Sequence, residues 1–69
     1  MDSRIQKNSV VQVNDKGHEG WVGCLLQVDE VKTWGIIGHV QIPHGGIVPI
    51  RISRDSIDFI GEALMESPL

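Results

Sequence analysis

Apolar residues recur at every second position over most of this chain. Val11 and Val13 alternate with Gln12 and Asn14. Val22, Cys24, Leu26 and Val28 repeat the spacing, with Trp21, Gly23, Leu25 and Gln27 between them. Ile36, Gly38, Val40 and Ile42 make a third row, opposite Ile37, His39 and Gln41. Val48, Ile50 and Ile52 alternate with Pro49 and Arg51, and residues 57–60 make a short last run. A period of two is that of a strand with one face buried. The pattern therefore predicts five strands. The second runs through Val22 to Val28, and the third through residues 35–43.

The stretches between these runs carry turn residues. Residues 14–20 combine Asn, Asp, Lys, His and Glu with two glycines, which is turn chemistry throughout. Residues 29–35 are polar apart from Val31 and Trp34, and read as a hairpin connection. Pro43, His44, Gly45 and Gly46 form another turn, since proline removes a ladder donor and glycine allows positive φ. Pro49 either makes the fourth strand an edge or puts its missing N–H outward. Residues 53–56 suit one tight turn, most readily 3₁₀. Residues 1–8 are expected to be a flexible lead, 9–61 the folded unit, and 62–69 a tail.

Composition supports the strand reading. Eight Val and nine Ile stand against four Leu and one Ala. Side chains branched at Cβ suit a pleated surface better than a helix. With 69 residues and 41% of them hydrophobic, the chain can fold as one small domain, and a disordered chain is excluded. The net charge of −3 denies it a broad basic field for non-specific nucleic-acid binding. Its one cysteine, Cys24, cannot form an internal disulfide. No apolar run approaches the ~20 residues of a membrane span, and the polar start does not read as a signal peptide. The expectation is a cytoplasmic protein with no membrane association.

Five short strands with a one-turn insert before the last give an all-β expectation, the five-stranded SH3-like barrel. Gly20-Trp21-Val22-Gly23 leading into an alternating strand resembles the entry to KOW-type small barrels. Val11, Val13 and Gly17 fit the preceding strand and loop of that fold. Ile50-Arg51-Ile52 followed by residues 53–57 fits its fourth strand, tight turn and fifth strand. The resemblance covers residues 9–61 and implies a fold, not a function. The chain also resembles short uncharacterised proteins of tailed phages and prophages. The phrases that carry this are Gly20-Trp21-Val22-Gly23, Val28-Asp29-Glu30-Val31-Lys32 with Trp34-Gly35, and Gly45-Gly46 with Pro49-Ile50-Arg51. That likeness implies an accessory role. Val40-Gln41-Ile42 is similar to the pore segment of plasmid-borne trimethoprim-resistant dihydrofolate reductases. Here, however, Pro43 follows where those enzymes have Tyr, and the chain has no Tyr.

Candidate chemistry is sparse. His18, His39 and His44 lack the paired spacing of a zinc site. Cys24 lies in phase with an apolar row, as a small buried hydrophobe would. Asp29, Glu30, Asp55 and Asp58 read as loop and turn carboxylates, with Asp55 suited to capping the tight turn. Gly45 and Gly46 lack the context of a phosphate loop. No catalytic, cofactor or metal site is expected, and the chain does not read as an enzyme.

The two tryptophans are the informative residues. Trp34 stands in a polar connection, and is either part of the core or, as large aromatics outside a core often are, the anchor of an interface. Trp21 is either core, in a strongly curved sheet, or part of an exposed Trp21–Leu25 face. Lys32, Arg51 and Arg54 could rim Trp34 as a small aromatic and basic site. The leading expectation is a non-enzymatic module that binds another protein or a second copy of itself. Nucleic-acid binding is the alternative, and an oligomeric reductase the remote one.

Overall fold

The computed structural model describes residues 3–41 and 45–62. The branched aliphatics form strands throughout, and the protein is all-β. Strands β1 (Ser9–Val13), β2 (Leu25–Lys32), β3 (Gly35–Gln41), β4 (Ile47–Ser53) and β5 (Ile57–Glu62) make one antiparallel sheet. Its order is β4-β3-β2-β1-β5, so consecutive strands pair from β1 to β4 and β5 returns to the free side of β1. The sheet is not closed by a ladder between β4 and β5. Two 3₁₀ turns interrupt the meander, a first at Glu19–Trp21 and a second at Arg54–Ser56. The second falls within the expected tight turn at residues 53–56.

Alternation sorts the inner face as the pattern predicts. Val11, Val13, Leu26, Val28, Ile36 and Ile57 are buried, and Val40, Ile50, Ile52 and Phe59 pack against them. Each full burial of this kind contributes about 1.5–3 kcal/mol. Ile5 joins the same core at 7% exposure. The lead around it is tied down by the Asn8 N–H, which donates to the Val28 carbonyl at 2.8 Å, and by the Ser9 Oγ, which accepts from the Gln6 N–H at 2.9 Å. The Arg4 guanidinium lies 4.3 Å from the centre of the Phe59 ring. These residues do more than lead in.

Several expected boundaries move. The second strand begins at Leu25, not Val22, and runs to Lys32 rather than ending at Val28. Val22 is half-exposed because it follows the first 3₁₀ turn and precedes Gly23, whose φ of 87° turns the chain before the strand begins. Alternation has no meaning across such a turn. Beyond Val28 the strand survives its polar residues through a β-bulge. Val28 faces Gly38 and Glu30 faces Ile37, so Asp29 is the extra residue. A bulge bends the strand and sharpens its twist. A second register shift lies opposite Val10 and Val11, where Ile60 is the extra residue on β5. It lets β5 continue through Gly61 to Glu62, beyond the predicted end at Ile60. The third strand is described as far as Gln41. The predicted turn at Pro43 and His44, and the tail from residue 63, lie outside the described residues.

Two glycines allow close strand approach. A Cβ on Gly38 would lie 2.7 Å from the Gln27 carbonyl oxygen, and one on Gly35 would collide with the carbonyl oxygen of Ile52. These obstacles are backbone atoms and cannot swing aside. Gly35→Ala should therefore destabilise by about 3 kcal/mol or more. Ile5→Ala should cost about 2–4 kcal/mol through its cavity. Urea titrations of both variants against the parent check these values. An Ile5→Ala midpoint equal to the parent's would remove the lead from the core.

Candidate binding site

The β2–β3 hairpin closes through Thr33 and Trp34 alone, with Lys32 paired to Gly35. So short a connection leaves no room to fold the indole inward, and Trp34 is 46% exposed. The tip does not hang free. The Arg54 N–H donates to the Trp34 carbonyl at 3.0 Å, and the Arg54 Nη1 donates to the Thr33 carbonyl at 3.1 Å. Both bonds anchor the tip on the second 3₁₀ turn.

That turn also holds the loop after β1. The Asn14 N–H donates to the Ser56 carbonyl at 2.9 Å, and its Nδ2 donates to the Asp55 carbonyl at 3.0 Å. The Ser56 Oγ donates to the Lys16 carbonyl at 3.3 Å, and the Asn14 Oδ1 accepts from the Lys16 N–H at 2.9 Å. The last of these is the local bond that makes asparagine a turn former. Ser56 is buried, as such a hub must be if its polar atoms are to find protein partners. The hairpin tip, the second 3₁₀ turn and the β1–β2 loop thus form one cluster.

The structure brings Lys32, Trp34 and Arg54 together at this cluster. Arg51 lies on β4 opposite Ile37, two residues before Ser53, which pairs with Gly35. The period of two puts Arg51 on the same sheet face as Lys32, Gly35 and Ser53. Lys32 is partly neutralised by Glu30, whose carboxylate is 3.5 Å from its Nζ. Trp21 sits elsewhere, in the first 3₁₀ turn, and packs against the core. Cys24 is likewise half-buried against the core.

Sequence reasoning missed one pair. The Nδ1 of His39 lies 2.8 and 3.0 Å from the two carboxylate oxygens of Asp29. Asp29 reads as a loop residue, but the bulge keeps it in β2 near Gln27, which faces His39. The signal was present in the spacing. Val28 and Val31 are three apart, yet both share the inner face with Gly38 and Ile36, which are two apart. One extra residue on β2 is required. Beside this pair the outer face of the sheet has an open depression of about 210 Å³, lined by Val10, Leu25, Gln27 and His39, with Leu26 beneath. Its lining holds no hydroxyl or thiol. An oriented imidazole without a nucleophile is an incomplete catalytic arrangement.

Among the described residues no group of three or more potential metal ligands converges, and no helix is long and apolar enough to cross a membrane. No family model, curated protein or solved structure matches this chain.

A carboxylate only accepts hydrogen bonds, so the proton shared with Asp29 belongs to the His39 Nδ1. Long-range ¹⁵N–¹H spectra of the imidazole should show a protonated Nδ1 in the parent and a shift toward the Nε2–H tautomer in Asp29→Ala. The pair is partly open to solvent, and its loss should change stability by about 1 kcal/mol or less. Unchanged imidazole nitrogen shifts in the variant would show that Asp29 does not set the tautomer.

Proposed function

We propose that this chain is a small non-enzymatic binding module that engages another protein through the hairpin tip. The observation that carries this is the exposure of Trp34 on a backbone held at two points. A large aromatic that is already positioned loses little freedom on binding and offers a wide apolar surface. Such residues dominate binding energy when a partner desolvates them. Lys32 and Arg51 would form a cationic rim beside it.

In this reading the sheet is an SH3-like small barrel of the KOW type. The order β4-β3-β2-β1-β5 and the single 3₁₀ turn before β5 support that reading. The resemblance to short phage and prophage proteins implies an accessory role, and a cytoplasmic location is part of the same proposal.

Two other classes have less support. Nucleic-acid binding needs cations to converge, but Lys32 is paired with Glu30 and Arg54 is engaged with Thr33. The net charge of −3 opposes it further. A reductase built like the plasmid-borne enzymes needs a pore lined by residues 40–42. Val40 instead packs against the core, and Ile42 lies outside the described residues.

Immobilised parent protein and Trp34→Ala should differ in what they retain from a host lysate. Bands held by the parent should fall at least about five-fold with the variant, a loss of the size that marks an interface anchor. They should survive nuclease treatment. The variant's thermal midpoint should stay within a few degrees of the parent's, since Trp34 lies outside the core. Equal retention by both proteins, or bands that vanish with nuclease, would refute the proposal. A large fall in the thermal midpoint would reassign Trp34 to the structural core.

A further inference from the structure

Arg54 was grouped by charge with the residues that could rim a partner. Its geometry gives it a different task. Its N–H and its Nη1 both donate into the two-residue tip, to the carbonyls of Trp34 and Thr33. The tip itself is only two residues, because β2 ends at Lys32 and β3 begins at Gly35. A guanidinium is suited to this use. Its donors lie in a fixed planar fork, so little freedom is lost for each bond it makes.

The other side of the same turn is anchored independently. Asn14 donates to the carbonyls of Asp55 and Ser56, and Ser56 donates to that of Lys16. The base that carries Arg54 is therefore held by the β1–β2 loop and does not depend on the hairpin tip.

We infer that Arg54 is a positioning residue, which pins the β2–β3 tip to the second 3₁₀ turn and so holds the Trp34 indole in place. Its guanidinium is directed to Thr33 and leaves the cationic rim to Lys32 and Arg51. The inference rests on the reading of Trp34 as an anchor for its purpose, but not for its test.

The test uses the full chain labelled with ¹⁵N, in the parent, Arg54→Ala and Arg54→Gln. Glutamine keeps a side-chain N–H donor on a shorter stem, and alanine keeps none. Steady-state ¹H–¹⁵N NOEs are read at the amides of Thr33 and Trp34 and at the Trp34 indole. Core amides at Leu26, Val28 and Ile36, together with the Trp21 indole, serve as internal references. In Arg54→Ala the NOEs at Thr33 and Trp34 should fall while the references hold. In Arg54→Gln they should recover at least half of that loss. Arg54 is exposed, so the thermal midpoint of Arg54→Ala should fall by no more than about 4 °C.

Unchanged NOEs at the tip in Arg54→Ala would overturn the inference. So would a fall at the tip and the core references alike, which would mean that Arg54 supports the fold as a whole. Should Arg54→Ala fail to fold, a parent-like tip in Arg54→Met, which keeps the apolar stem and has no N–H donor, would also overturn it. Retention of lysate proteins plays no part in these spectra. The anchor reading can therefore fail in its own experiment while the pinning of the tip stands.

Discussion

A single sheet with no helix against it must cover its own inner face. That constraint shapes everything else in this chain. Val11, Leu26, Val28 and Ile36 are fully buried, although no second layer of regular structure lies over them among the described residues. A flat five-stranded sheet would leave them open on one side. The dry interior therefore requires strong curvature, and the means for it are local. Asp29 and Ile60 insert extra residues into β2 and β5, and bulges of this kind bend strands. Gly35 and Gly38 remove the Cβ atoms that would meet neighbouring backbone. Ile5 fills part of what the sheet does not reach. A domain of this size buries only about 60% of the surface its unfolded chain exposes, so each contribution counts.

Curvature of that kind brings distant loops together without pairing the outer strands. The second 3₁₀ turn joins the end of β4 to the start of β5, the two edges of the open sheet. It bonds to the hairpin tip on one side and to the β1–β2 loop on the other. Those backbone and side-chain bonds do across the gap what a ladder would do in a closed sheet. They also hold the tip at two points and leave Trp34 half-exposed. The same open edges could recruit other strands. Pro49 lacks the donor that an incoming strand would need on β4, and the bulge at Ile60 disrupts β5. Both devices are common guards against edge pairing.

Much of this was legible in the sequence, and the failures share one cause. Alternation identified all five strands and the inward rows of β3 and β4, because burial on one face imposes a period of two. It failed where that period is interrupted. Val22 was placed inside because it lies in phase with Leu26, although the turn at Gly23 intervenes. Residues 29–32 were taken for a loop because they are polar. Polarity there means only that β2 has run past the core, and Val31 is on the inner face yet 42% exposed. Ile5 was invisible because one apolar residue among polar neighbours has no period. For the site, charge alone suggests Lys32, Arg51 and Arg54 as a rim for Trp34. The direction of Arg54 could not be read, since a charge says nothing of which carbonyl it will meet.

The pairing of Asp29 with His39 shows how a structural solution can resemble a functional one. The bulge that bends β2 puts a carboxylate on the strand facing His39, and the two bond because both are there. An orienting carboxylate and an imidazole recur in many catalytic sites, yet those sites need a third group that reacts. Besides His39, the depression is lined by three aliphatic residues, Val10, Leu25 and Leu26, and by the amide Gln27. Gln27 is itself engaged, donating through its Nε2 to the Asn8 Oδ1 at 3.3 Å. Both polar side chains of the depression have partners, that of Gln27 in the lead before β1 and that of His39 in β2, so these bonds tie β2 to β3 and to the lead. The exposed indole, by contrast, has its backbone bonded and its ring half in solvent. That difference is why the proposed reading puts recognition at the hairpin tip rather than at the outer face.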